Sequence, residues 1–155
     1  MKHQIEYTVS QFKDICDFKV TFPCAQHLWD VNNEAKILDN VKADFFHSLT
    51  SKLLYITKRT RPDIELDVAF FTKSVVKRNV GDWKKLRRFI SYLNQTVEDV
   101  RIIGGFNLTD LLTWFDESYD VHPNVSSQTG GVMSMGRGML HCRSSKQNIN
   151  AKSST

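Results

Sequence analysis

Few side chains in these 155 residues have the type and spacing that chemistry needs. Asp116 follows an apolar run over residues 111–115 that reads as a buried strand. A carboxylate at a strand end can serve as an oxygen ligand for a hard divalent cation. Standing alone, it is more often a turn residue. Glu117 and Asp120 are its nearest acidic neighbours. Adjacent strand residues point to opposite faces, so Glu117 is a poor second ligand if the strand continues through it. The other candidate is a charge cluster. Lys73, Lys77, Arg78, Lys84, Lys85, Arg87 and Arg88 set seven cations against one acid, Asp82, between residues 73 and 88. Contact with a phosphate backbone needs clustered positive charge and no base-specific side chains. A solvated helix face gives the same pattern, and on charge alone the solvated face is favoured.

The remaining reactive types lack a productive arrangement. His3, His27, His47, His122 and His141 have no metal-ligand spacing. Cys142 and His141 are strand neighbours on opposite faces, which argues against a nucleophile pair. Gly130-Gly131 and Gly136-Arg137-Gly138 form neither a dinucleotide fingerprint nor a phosphate loop, and read as turn glycines. Asn107-Leu108-Thr109 and Asn124-Val125-Ser126 match the glycosylation triplet, which is frequent by chance.

The elements that must position Asp116 and the cations follow from periodicity. A short helix is predicted over residues 9–18, with Val9, Phe12, Cys16 and Ile15 inward. Residues 21–40 read as loop. Phe45, Phe46, Leu49, Leu53 and Ile56 recur at helical spacing over about four turns, interrupted by polar residues 57–61. Pro62 suits the first position of a helix over residues 62–77, with Asp63 and Glu65 near its positive end. Asp82 is placed to cap a third helix over residues 82–94, with Trp83, Leu86, Ile90 and Leu93 inward. Beyond it, residues 100–105 and 111–115 read as strands. Residues 131–135 and 139–143 form a hairpin around Gly136-Arg137-Gly138.

Composition sharpens this division. Six of the seven glycines lie at or after Gly104, whereas 16 of the 21 Lys and Arg residues fall between Lys2 and Arg88. A basic, glycine-poor front and a glycine-rich back predict an α+β chain, helices first and strands after, with the change near residues 96–107. A hydrophobic fraction of 41% argues against wholesale disorder. Three unpatterned cysteines, Cys16, Cys24 and Cys142, exclude a disulfide scaffold and a Cys-x-x-Cys zinc module, and fit a reducing compartment. Residues 1–10 do not read as a signal peptide, and no apolar run approaches a membrane span. The location expected is intracellular, without a membrane partner.

An ordered string of short words adds a resemblance. Leu53-Leu54-Tyr55-Ile56 is followed by Thr60-Arg61-Pro62-Asp63-Ile64, then Trp83-Lys84-Lys85-Leu86-Arg87-Arg88 and Tyr92-Leu93. Phe115-Asp116-Glu117-Ser118-Tyr119, Thr129-Gly130-Gly131, Ser144-Ser145-Lys146-Gln147 and Ser153-Ser154-Thr155 continue it. In this order the words resemble the Pol polyprotein of copia-type (Pseudoviridae) retrotransposons, across roughly residues 45–155; the first 40 residues match it much more loosely.

The resemblance implies that residues 1–98 are the C-terminal, thumb and connection part of a reverse transcriptase. Residues 99–155 would then be the opening antiparallel strands of an incomplete RNase H-like domain. It raises the phosphate-contact reading of Lys73, Lys77, Arg78, Lys84, Lys85, Arg87 and Arg88 above the solvated face. Asp116 would be the first RNase H carboxylate, helping to hold two Mg²⁺ ions that activate water and stabilise the leaving oxygen in the parent enzyme. The polymerase aspartates would lie before Met1 and the second RNase H carboxylate after Thr155. One carboxylate does not hold Mg²⁺ usefully, so no bound cofactor is expected. The chain is thus expected to contact a template–primer duplex or RNA–DNA hybrid through its backbone, beside the rest of Pol, and to be inactive alone. It would reside in the cytoplasm, a virus-like particle or the nucleus. The competing expectations are a free-standing nucleic-acid-binding or assembly module, and a decayed retroelement remnant without function.

Overall fold

Helix α2, Asn40–Arg59, is where the sequence pattern and the packing agree best. Asp39 caps it by accepting the Lys42 N–H at 2.8 Å. Phe46, Leu49, Leu53 and Ile56 form its buried stripe and Phe45 is half-buried beside them. The helix runs past the predicted break because Thr57 is buried, its hydroxyl donating to the Arg61 carbonyl at 2.9 Å and to Glu65 Oε2 at 3.2 Å. The structure, a computed structural model, describes residues 1–16, 18–23, 30–32, 34–99, 101–118 and 126–147. It is α+β, and the chain divides into two units, Met1–Asp99 and Val100–Thr155.

In the first unit Pro62–Ile64 forms one 3₁₀ turn that leads into α3, Glu65–Ser74. This helix stops before the predicted residue 77. Val76 and Lys77 are exposed, and Arg78 donates its guanidinium to the Val75 carbonyl, closing the last turn. Helix α4, Val80–Gln95, is capped by Asn79 and not by Asp82. Asn79 Oδ1 accepts the Asp82 N–H and Asp82 Oδ2 accepts the Asn79 N–H, both at 3.1 Å. Asp82 is therefore the returning half of a capping box. Ile37 bridges to Asn79, with Leu38 N–H donating to Arg78 at 3.2 Å and Val80 N–H to Lys36 at 3.0 Å. The predicted loop thus carries backbone pairing of its own.

The predicted helix over residues 9–18 is displaced. Helix α1 is Lys2–Ser10, burying Ile5, Thr8 and Val9. After it residues 12–16 form neither helix nor strand and run beside α4, whose side chains take backbone groups of this part of the chain. Arg87 Nε donates to the Asp14 carbonyl at 3.0 Å, Ser91 Oγ accepts the Cys16 N–H at 2.8 Å, and Gln95 holds Phe18 and Val20 at 3.0 and 2.9 Å. Cys16 and Val20 are buried. The core centres on Phe46, Phe71 and Phe89. Edge-to-face pairs Phe46–Phe71 and Phe71–Phe89 have centroids 6.0 and 5.4 Å apart. Phe89 was absent from the predicted stripe, although it lies on the same arc as Leu86 and Leu93.

The second unit is built on an antiparallel meander of β2 (Leu112–Ser118), β3 (Gln128–Ser134) and β5 (Met139–Lys146). Its register sets Asp116 beside Gly130 and Gly130 beside Ser144. The predicted hairpin is present, with a bulge at Met133/Ser134. Gly136 and Gly138 take φ of +117° and +78°, a region only glycine enters readily. The strand predicted over residues 100–105 shrinks to β1, Gly104–Gly105, which pairs with β4, Gly136–Arg137. The first strand of the meander is not buried, contrary to expectation: Leu112, Trp114 and Phe115 are all exposed. Cys24, His27, Tyr119, Asp120, His122, Asn124 and the Ser153-Ser154-Thr155 word lie outside the described residues.

Candidate nucleic-acid interface and the Asp116 strand

Helix α4 turns its four cations in different directions, and the packing gives each a different partner. Lys84 is exposed. Lys85, expected on the solvated face, is buried, and its Nζ donates to the Asp30 carbonyl at 2.7 Å while lying 4.7 Å from the Phe70 ring centre. Burial pushes its pKa down, against the opposing charges of Asp82 and Asp30. Burial likewise pushes Asp82 up, offset in part by the Asn79 N–H and the charge of Lys85. Arg87 is half-buried and pairs with the Asp14 carboxylate at 3.1 Å. Arg88 is half-buried, with its Nε enclosed and lacking a hydrogen-bond partner.

The cations of the α3 end divide in the same way. Lys73 and Lys77 are exposed, whereas Arg78 holds the Val75 carbonyl and stands 3.8 Å from Asp44. Seven cations that look alike in sequence therefore separate by task. Lys85, Arg87 and Arg78 fasten neighbouring chain segments. Lys73, Lys77 and Lys84 project into solvent, and Arg88 does so in part.

Arg61, within the Thr60-Arg61-Pro62-Asp63 word, carries no functional expectation from the sequence. It is buried, 3% exposed. Its Nε and one NH₂ group reach both oxygens of Asp63 at 2.9 and 2.8 Å, and the guanidinium also donates to the Thr96 carbonyl and hydroxyl, each at 2.8 Å. Tyr92 lies 5.5 Å away under the guanidinium and donates its hydroxyl to Asp63 Oδ2 at 3.1 Å. Burial would raise the Asp63 pKa, but the hydrogen bonds and charge of Arg61 outweigh it and the net shift is downward. This network joins the start of α3 to the end of α4. The only sequence signal for it is an Arg beside a helix-opening Pro-Asp pair.

Asp116 sits within β2 and not after it, since the strand continues to Ser118. The side chains of Asp116 and Glu117 are therefore on opposite faces of the sheet. Asp116 Oδ1 accepts the N–H of Glu117 at 2.8 Å, and the Glu117 carboxylate accepts Gln147 Nε2 at 2.6 Å. The register neighbours of Asp116, Gly130 and Ser144, add no carboxylate. Among the described residues no group of three or more His, Cys, Asp or Glu side chains could hold a metal ion. One exposed carboxylate with an amide on one oxygen does not fit a two-Mg²⁺ centre. Among the described residues no helix is long and apolar enough to cross a membrane. Compared with protein-family models, curated proteins and solved structures, the chain matches none.

Proposed function

We propose that this chain is a nucleic-acid-handling piece of a copia-type Pol polyprotein, covering the end of a reverse transcriptase and the start of an RNase H-like domain. The observation that carries the reading is an order of parts. A helical unit with solvent-directed cations precedes an antiparallel meander whose first strand bears Asp116. The ordered words of the sequence support the same assignment. Its partner is a template–primer duplex or an RNA–DNA hybrid, met through phosphates by Lys84, Arg88, Lys77 and Lys73. Lys85, Arg87 and Arg78 support that surface by fastening the segments beneath it.

The chain by itself does not catalyse hydrolysis in this reading. Among the described residues no companion carboxylates stand with Asp116 to make the cluster that two-metal cleavage requires, so no step is assigned to it. The test is an RNA–DNA hybrid incubated with the full chain at low salt, with and without Mg²⁺. Retention of the hybrid without cleavage is expected. Cleavage that needs Mg²⁺ and disappears in Asp116→Asn would overturn the assignment of inactivity. Failure to retain any duplex at low salt would overturn the binding role.

A further inference from the structure

The two edges of the three-stranded sheet are treated differently by the chain. Near the start of β5, Arg101 spreads its guanidinium over two carbonyls, donating to Met139 at 2.9 Å and to Leu140 at 2.6 Å. Strand β2, at the other edge, has no strand on its outer side among the described residues. It exposes Leu112, Trp114 and Phe115, the last by 76%. The Glu117 N–H is taken by the side chain of Asp116. A strand amide satisfied this way faces away from its ladder neighbour, and alternation turns the amides of Thr113 and Phe115 outward too. An open edge without Lys or Pro is a template for another strand, and the two acids on it, Asp116 and Glu117, restrict the registers in which it can pair.

We propose that this edge pairs antiparallel with the same edge of a second copy, centred on Phe115, to make one six-stranded sheet. A two-fold axis normal to the sheet keeps like faces together, so only registers centred on a residue are allowed. Centring on Asp116 or Glu117 sets two carboxylates directly opposite each other, which is destabilising. Centring on Thr113 or Trp114 shortens the overlap. Centring on Phe115 uses all seven residues of the strand. It sets Phe115 against its own copy, Trp114 opposite Asp116, Thr113 opposite Glu117, and Leu112 opposite Ser118. The Glu117 N–H then exchanges the Asp116 carboxylate for the Thr113 carbonyl of the second copy.

This pairing does not depend on the nucleic-acid reading, and its test contains no nucleic acid. An edge-only interface falls at the small end of specific interfaces, so dimers are expected at about 10–500 µM. Sedimentation equilibrium of the full chain over that range should show a monomer–dimer equilibrium. Thr113→Pro deletes an outward N–H and should raise the dimer dissociation constant at least about ten-fold, with the circular dichroism unchanged. If that variant does not fold, cross-linking decides. Paired residues at this register have Cα atoms about 5.5 Å apart, within disulfide range. Phe115→Cys should therefore form a covalent dimer on mild oxidation, while Thr113→Cys gives no more than the unaltered chain. A monomer at every concentration, or equal cross-linking by Thr113→Cys and Phe115→Cys, would overturn the proposal.

Discussion

Replacing Arg61 by Ala should be among the most damaging single changes in the first unit. The guanidinium makes four hydrogen bonds, two to Asp63 and two to Thr96, from a position only 3% exposed. Removing one partner of a buried ion pair costs about 3–5 kcal/mol because the other charge is left uncompensated. The Asp63 side chain is 42% exposed and regains some water, which places the cost at the low end, about 3 kcal/mol. For a unit of this size each kcal/mol lowers Tm by about 4–8 °C, giving a fall of roughly 12–24 °C. Scanning calorimetry at pH 7 reads it directly. Arg61→Lys keeps the charge but loses the planar fork, and should recover only part of the loss. A change within about 0.5 kcal/mol for Arg61→Ala, the range of an ordinary surface substitution, would refute the buried clamp.

Three further outcomes follow from the packing. Asp63 has a folded pKa below its unfolded value near 3.9. Its contribution is therefore fully present above that unfolded value and is lost as pH falls through the folded one. Asp63→Asn should be less stable at pH 7 and show a flatter loss of stability below about pH 4 in urea titrations. Gly138→Ala places a Cβ 1.8 Å from the Ile102 carbonyl oxygen at a φ of +78°. It should destabilise the second unit by about 2 kcal/mol or more, seen as faster hydrogen exchange at residues 101–106 and 135–139. Asn79→Ala removes the observed cap of α4 and should cost about 1 kcal/mol by urea unfolding, with strong non-additivity when combined with Asp82→Ala.

The sequence was most informative where burial itself sets the pattern. Phe46, Leu49, Leu53 and Ile56 declare α2, and glycines at 136 and 138 declare the hairpin, because each reflects a local physical requirement. It misled where spacing alone stood for a helix. Val9, Phe12 and Cys16 have helical spacing, yet residues 12–16 form no helix, and Asp14 and Cys16 are held by Arg87 and Ser91 of α4. Side-chain charge was the least legible feature. Nothing in Lys84-Lys85-Leu86-Arg87-Arg88 tells which cation faces solvent, since that depends on where Asp30 and Asp14 come to rest. Asp116 was found from its place after an apolar run, but exposure of that run depends on what covers the sheet, which a local pattern does not carry.

Salt dependence of RNA–DNA hybrid binding tests the central claim most directly. Each phosphate contact contributes close to one unit to the slope of log K against log salt. Lys84→Gln and Arg88→Gln together should lower that slope by about two units. Lys85→Met, which removes a buried ammonium, should leave it unchanged. An unaltered slope in the Lys84/Arg88 variant, or an equal drop in Lys85→Met, would contradict the account.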